Sequence, residues 1–405
     1  MPKKSANRPA KTTFAAVICE LNPPHFGHRA IFEAAKAECG GLVCILSGNF
    51  VQRGETAILD KWTRAGLALE LGADLVVELP LPWACAGAER FAAGGVALAA
   101  ALPGVAHLFF GSEVADPSLF ETAARTLLSP EFSAALAALP ETGEPFARRR
   151  EQALTALLGE EVCPLLQSPN AILGVEYCKA ILAQGAHLAP HIFPRIGAGH
   201  DEHAAQGEFC SASELRERLL RGEGVSGLVP EAVERAVAQA TEDGLAPAEL
   251  SKLETAILCK LRTMETEDFA ALPDVSEGLE HRLYTAARKA GSLPEFYELA
   301  KSKRISHARI RRLMLSAFLG LSADLPALPP YLRVLGVGER GEEVLSAGAN
   351  LPILSRPAQV RELSAAVQRV FALEVQADDL YALASPKPQP CGRDFSEPVV
   401  KRMWL

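Results

Sequence analysis

Four short runs near the start of the chain lack the alternation that marks a strand with one wet face. Phe14–Cys19 (FAAVIC), Leu42–Leu46 (LVCIL), Asp74–Leu79 (DLVVEL) and His107–Phe110 (HLFF) are apolar nearly throughout. Such runs fit the central strands of a sheet covered on both faces. Between them, Arg29–Glu38, Lys61–Leu71 with Asp60 placed as N-cap, and Ala86–Ala101 carry helical patterns. Strands alternating with helices of about ten residues or more predict right-handed βαβ units and an open parallel sheet, a Rossmann-like α/β domain. Ligands of such sheets sit beyond the carboxyl ends of the strands. Three loops each follow a strand candidate: NPPHFGH at Asn22–His28, SGNFVQRGE at Ser47–Glu55 and FGSE at Phe110–Glu113. All three are therefore expected on one edge.

Beyond Pro117 the pattern turns helical as far as Gly185, with Ser168 or Pro169 opening the helix in SPNAILGVEYCKAILAQG. An extended piece, HLAPHIFPRIGAGHDE, follows, and then helices at Ala212–Leu220, Pro230–Thr241, Ala248–Arg262 and Val275–Ala290. The last segment mixes strand-like YLRVLGVG and NLPILS with a helix at Val360–Phe371, before the loop or tail ASPKPQPCG. The expected organisation is a basic disordered tail over 1–13, the α/β domain over 14–200, a mainly helical region over 201–324 and a small mixed α/β unit over 325–405. No internal repeat is visible.

Composition narrows the function classes. With 49% hydrophobic and 22% charged residues, the 405-residue chain reads as an ordinary soluble globular protein with room for more than one domain. A net charge of −8 excludes a protein that coats nucleic acid with its whole surface, but leaves room for a local basic patch. Nine cysteines without a Cys-x-x-Cys pair point to reduced thiols in the cytoplasm and away from a structural zinc site. The basic start is followed by an apolar run too short for a signal peptide, and Pro103, Gly104 and His107 interrupt the most apolar window, so no membrane span is expected.

The loop HFGH offers two imidazoles and a glycine where a buried strand hands over to a helix. Glycine lets a phosphate approach the backbone, and the free N–H groups of the first helical turn favour an anion. His25 and His28 then add donors that can follow charge building on a phosphoryl group. The competing reading makes one histidine a packed residue and the other a helix cap; the strand–turn–helix context favours phosphate. Zinc lacks a third ligand nearby, so no metal site is assigned. In SGNFVQRGE, Asn49 and Gln52 can hydrogen-bond a substrate and Arg53 can clamp a phosphate or carboxylate, with Gly48 and Gly54 shaping the loop; a plain polar connection is the alternative. Asn170 is either a first-turn cap or a ligand contact, and Arg195 can reach a phosphate. In KSKRISHARIRR, the cations Lys301, Lys303, Arg304, Arg309, Arg311 and Arg312, with His307, form either a phosphate-backbone footprint or a solvated face. Arg148–Arg150 is a weaker candidate of the same kind.

Taken in order, ELNPPHFGH, GNFVQRGE, DKWTRAGLALELGADLVVELP, FGSE, SPNAILGVEYCKAI, RIGAGHDE and RIRRLMLSAFLGL resemble the bacterial tRNA(Met) cytidine acetate ligases of the HIGH-motif nucleotidyltransferase superfamily. The resemblance spans nearly the whole chain after the tail. It implies a nucleotidyltransferase-type catalytic domain that converts acetate and ATP to acetyl-adenylate, then passes the acetyl group to the wobble cytidine of elongator tRNA(Met) as N(4)-acetylcytidine. It assigns ATP to the loop Ile18, Cys19, Glu20, Leu21, Asn22, Pro23, Pro24, His25, Phe26, Gly27, His28, Arg29, Ala30 and Ile31, joined by Gly111, Asn170 and Arg195. His25 and His28 would be catalytic and magnesium would arrive on the nucleotide. The implied partners are tRNA, acetate and ATP, with no membrane and no DNA. The loop departs from the family pattern, with Leu21 for an aromatic residue, Pro24 for Phe, Phe26 for a polar residue and Ile31 where a further histidine stands. Two other functions stay open: a small-molecule adenylyl- or cytidylyltransferase, which would not need the basic run and the long helical half, and a nucleotide-binding RNA module without catalysis, against which the two histidines argue.

Overall fold

A computed structural model of the protein describes residues 13–140, 143–195, 210–276 and 278–401. The expected tail before residue 13, the end of RIGAGHDE and the 200/201 boundary lie outside the described residues. The first strand, β1 (Phe14–Cys19), is wholly buried, as its unbroken apolar run requires. It pairs in parallel with β2 (Gly41–Ser47), from Phe14↔Gly41 to Cys19↔Leu46. Helix α1 (Phe26–Cys39) crosses between them. The loop read as SGNFVQRGE folds into a small hairpin, β3 (Phe50–Val51) against β4 (Glu55–Thr56). Helix α2 (Lys61–Glu70) follows, with the Asp60 carboxylate accepting from Thr63 N at 2.9 Å, which makes Asp60 the expected cap.

Strand β5 (Leu75–Leu79) pairs in parallel with β2. It starts one residue later than its apolar pattern because the Asp74 carboxylate accepts from Leu42 N at 2.9 Å and Lys36 Nζ at 3.2 Å. The Ala86–Ala101 candidate is α4 (Ala88–Ala100), preceded by a short α3 (Leu81–Ala84), with Gly87 as the break. Helix α4 lies close on the sheet: a Cβ at Gly95 would stand 2.5 Å from Ile18 Cδ1 of β1. Strand β6 (Val105–Ser112) flanks β1 and β7 (Ala189–Pro194) flanks β6, both in parallel. Between these two lie α5 (Pro117–Leu127), α6 (Pro130–Ala138), α7 (Phe146–Leu158), α8 (Cys163–Gln167) and α9 (Pro169–Gln184), the helical stretch the sequence indicates.

The helical region holds α10 (Ala212–Leu220), α11 (Glu231–Glu242), α12 (Glu254–Thr263), α13 (Thr266–Ala270), α14 (Leu279–Lys289), α15 (Leu293–Ala300) and α16 (His307–Leu319). The Ala248–Arg262 candidate enters through a 3-10 turn at Leu250–Leu253, so its α-helix starts late.

The segment expected to form a separate small unit is α/β in content but not separate. Its strand β8 (Leu332–Val337) runs antiparallel to β5, after which come α17 (Gly341–Ser346), β9 (Ile353–Leu354), α18 (Ala365–Tyr381), α19 (Arg393–Ser396) and β10 (Val400–Lys401). Both β9 and β10 pair with β8, giving the order β10-β8-β5-β2-β1-β6-β7. The open edge of β5 supplies the reason: Val337, Gly336, Val334 and Arg333 of β8 pair along it, and Leu332, Val334 and Leu335 are buried. Helix α18 also begins later than its pattern, at the Ser364 cap, because Pro357–Glu362 forms a 3-10 turn first. Among the described residues no helix is long and apolar enough to cross a membrane.

Candidate active site

The carboxyl ends of β1 and β2 are fastened by one side chain. Arg64 of α2 is fully buried and donates to four carbonyls: Glu20 O at 2.7 Å, Ser47 O at 2.9 Å, Gly48 O at 2.5 Å and Leu59 O at 2.9 Å. With those carbonyls turned toward the guanidinium, the chain leaves β1 through Leu21 at φ +48°, a left-handed conformation that costs energy for a leucine. Asn22 then holds the loop down: its Oδ1 accepts from Ile58 N at 2.8 Å and its carbonyl accepts from Arg216 Nη1 of α10 at 2.9 Å.

This loop delivers His25 as the N-cap of α1. Its Nδ1 accepts from Gly27 N at 3.1 Å, while Nδ1 of His28 accepts from His25 N at 3.2 Å. Two histidines thus do what Ser and Glu do in an ordinary capping box. An Nδ1 that accepts carries no proton, so each ring is the neutral tautomer with its hydrogen on Nε2. Burial, with the nearby Arg195 charge, pushes His25 down to about 4. Burial, His25 and Arg195 push His28 well below its usual value. Gly27 is needed for the rings themselves, since a Cβ there would stand 2.9 Å from His25 Cε1. Cap and ligand readings of these histidines are therefore compatible: Nδ1 serves the helix, and Nε2–H remains available.

Across the edge, β6 ends beside β7, and Arg195 N donates to Ser112 O at 3.0 Å. The Arg195 stem lies on Gly111, whose absent Cβ would be 3.3 Å from Arg195 Cγ. Glu113 joins the parts, accepting from Ser168 Oγ and Asn170 Nδ2, both at 2.6 Å, with Arg195 Nε at 3.5 Å. Burial alone would raise the Glu113 carboxyl, but the two hydrogen bonds and the Arg195 charge hold it below its usual value. Ser168, not Asn170, caps α9, accepting from Ala171 N at 3.2 Å. Gly111, Asn170, Arg195, His25 and His28 thus meet at one edge.

Other candidates divide. Asn49 does not face a substrate: its Nδ2 donates to Asp378 at 2.8 Å and its Oδ1 accepts from Lys61 N at 2.6 Å. Gln52 donates its backbone N–H to Glu20 Oε1 at 2.9 Å, and Arg53 reaches Ser213 Oγ at 3.1 Å. In the basic run, Arg309 donates to Asp274 O at 2.7 Å, and Arg311 pairs with Glu55 at 2.5 Å and lies over the Tyr297 ring. The tip of the β3–β4 hairpin rests on this helix, for a Cβ at Gly54 would come 2.8 Å from Arg311 Cβ. Arg309, Arg311 and Arg312 are half-buried, whereas Lys301, Lys303 and Arg304 lie exposed before α16. Of Arg148–Arg150, Arg148 pairs with Glu151, Arg149 reaches Leu136 O at 3.2 Å, and Arg150 pairs with Glu176.

The sequence reading missed Arg64, Lys61 and Glu113 as organisers. Lys61 is buried with Nζ 2.8 Å from Glu78, 2.5 Å from Asp378 and 3.0 Å from Asp394, and Arg333 adds contacts to Glu78 and Asp394. A signal existed: in DKWTRAGLA, Lys61 and Arg64 share the helical face of Ala65 and Ala68, which are buried. Charges on an apolar stripe require buried partners. Among the described residues no group of three His, Cys, Asp or Glu side chains is placed to hold a metal ion.

Comparison with known proteins fits this geometry. A family model, HIGH Nucleotidyl Transferase, matches residues 12–394. The tRNA(Met) cytidine acetate ligase of a Thermoanaerobacter species is 34% identical over 95% of this chain and 98% of its own length. The protein of that name from Caldanaerobacter subterraneus subsp. tengcongensis is 35% identical over the same shares. A crystal structure of Thermotoga maritima TmcAL bound with alpha-thio ATP superposes with a TM-score of 0.88, at 31% identity, over 96% of this chain and 99% of that one. Its apo form gives a TM-score of 0.89.

Proposed function

We infer the reaction from a family membership: the chain belongs to the HIGH nucleotidyltransferases and, within them, to the tRNA(Met) cytidine acetate ligases. It is an ATP-dependent ligase that activates acetate as acetyl-adenylate and acetylates N4 of the wobble cytidine in elongator tRNA(Met). A carboxylate is a poor acyl donor until a good leaving group replaces its oxygen, and adenylation supplies one. In the first step an acetate oxygen attacks the α-phosphorus of ATP, the bond to pyrophosphate breaks, and charge builds on the phosphoryl oxygens. His25 and His28 donate Nε2–H to those oxygens. Being neutral and held by their own caps, they need no reorganisation as the charge develops. Arg195, with one edge against Glu113, offers its remaining N–H groups to a phosphate. Asn170 and Gly111 complete the nucleotide contacts, and magnesium would arrive on the ATP phosphates and offset part of their charge.

The observation that carries this reading is the pair of crossed caps, which leaves both Nε2–H groups as donors at the carboxyl edge of the sheet. We place tRNA along Lys301, Lys303 and Arg304, which are exposed to solvent, whereas Arg309, Arg311 and Arg312 are half-buried. The substrate places the enzyme in the cytoplasm. Incubation with ATP, radiolabelled acetate and elongator tRNA(Met) is expected to label the RNA. Unlabelled RNA together with nucleotidyl transfer to a phosphorylated metabolite would establish a small-molecule transferase instead.

A further inference from the structure

Acetyl transfer needs something that adenylation does not. The exocyclic N4 of cytosine is a weak nucleophile because its lone pair is delocalised into the ring. As its bond to the acetyl carbon forms, the nitrogen becomes cationic and must lose a proton. The leaving group, AMP, departs as a phosphate and needs no proton in return. The second step therefore calls for a base and no acid. His25 and His28 cannot serve, because Nδ1 of each already accepts a backbone N–H and Nε2 already carries its hydrogen.

The carboxylates at the carboxyl edge narrow the choice. Glu55 is paired with Arg311, Asp60 caps α2 and pairs with Arg393, Glu78 is buried against Lys61 and Arg333, and Glu113 is held by Ser168, Asn170 and Arg195. Glu20 differs from all four. It is the first residue after β1, directly before the loop that carries the histidines. Its Oε1 is fixed by the Gln52 N–H at 2.9 Å, and no described cation lies within ion-pair distance of the carboxylate. Its other oxygen, Oε2, has no described hydrogen-bond partner.

We propose that Glu20 is the proton acceptor of the acetyl-transfer step. The proposal rests on the tRNA acetylation reaction inferred above. As N4 attacks, the new C–N bond forms, the bond from the acetyl carbon to the AMP oxygen breaks, AMP leaves with that electron pair, and the N4 proton passes to Glu20 Oε2. Oriented by Gln52, the carboxylate then returns the proton to water.

The surroundings keep this group a competent base. Burial raises its pKa, bringing its proton affinity nearer to working pH, while the Gln52 bond and the charges of Arg53 on the hairpin, Arg216 on α10 and Arg64 on α2 oppose that rise. The other titratable groups in electrostatic reach are Cys19 at the end of β1, Cys85 after α3 and Tyr177 on α9. All three are pushed up by their surroundings and stay neutral.

The test separates the two half-reactions in the full-length enzyme. Acetate-dependent exchange of pyrophosphate into ATP reads adenylation, and single-turnover transfer from enzyme-bound acetyl-adenylate to tRNA(Met) reads the second step. Glu20→Gln is expected to lower transfer by roughly a hundred- to ten-thousandfold, the usual worth of a general base, a loss well beyond the one it causes in exchange through its place in the nucleotide loop. Wild-type transfer should decline as pH drops through the raised Glu20 pKa, and the variant should lack that acid limb. Glu20→Asp, which keeps the carboxylate, should recover part of the transfer rate. Equal losses in both half-reactions, or transfer by Glu20→Gln at the wild-type rate, would overturn the assignment. A wild-type enzyme that exchanges no pyrophosphate with acetate would overturn the underlying reaction, and the role of Glu20 with it.

Discussion

Two ionisable clusters lie on opposite sides of the β2 end and are built in opposite ways. Around Lys61, three carboxylates, an asparagine and Arg333 bind one another, with Lys61 and Glu78 at 0% and 1% exposure. Around His25, the polar groups hold each other in place but leave donors over: two Nε2–H groups and the outer edge of Arg195. The contrast is between closure and incompleteness. A cluster whose donors all find partners within the fold is a fastening, whereas preorganised donors without partners await a ligand.

Substitutions can break this contrast. The largest effect is expected at Lys61. Lys61→Ala leaves Glu78, Asp378 and Asp394 buried without their shared cation and should destabilise the protein by about 3–5 kcal/mol, measured by denaturant unfolding. Little loss would mean that the cluster is not a fastening. His28→Ala should do the reverse. It should cut acetate-dependent pyrophosphate release by roughly a hundred- to a thousandfold, the cost of one preorganised donor. Its stability should fall only by about the 1 kcal/mol of a lost cap. Unchanged release would remove His28 from the chemistry. The smallest effect is expected at the exposed cations. Joint replacement of Lys301, Lys303 and Arg304 by alanine should weaken tRNA binding and flatten the plot of log affinity against log salt by about 0.7–0.9 per lost phosphate contact. An unchanged slope would make that run a solvated face.

Much of the site was legible because it is local. An apolar strand, a glycine and a helical pattern within a short stretch identify the HFGH loop, and parallel topology brings FGSE to the same edge. Asn170 and Arg195 could be placed only by resemblance, since nothing in their own neighbourhoods separates a cap from a ligand. What stayed hidden depends on distant partners. SGNFVQRGE looks like a polar loop, but Asn49 is bound by Asp378 and the hairpin tip by Arg311. In the same way, YLRVLGVG is recognisable as a strand, yet its pattern does not say that it pairs antiparallel with β5. Of the basic run, charge alone could not separate the exposed Lys301, Lys303 and Arg304 from arginines that hold helices together.

The bond between Asn49 and Asp378 joins residues 329 positions apart. On the ribosome the nucleotide-binding strands emerge first, yet the loop beside them lacks its Asp378 anchor, and Lys61 waits for two of its three carboxylates, until nearly the whole chain has been made. The part of the enzyme synthesised earliest is thus among the last to be finished. A chain cut short before α18 would carry every histidine and arginine of the active site and still lack the Asp378 that holds Asn49 and Lys61 beside them.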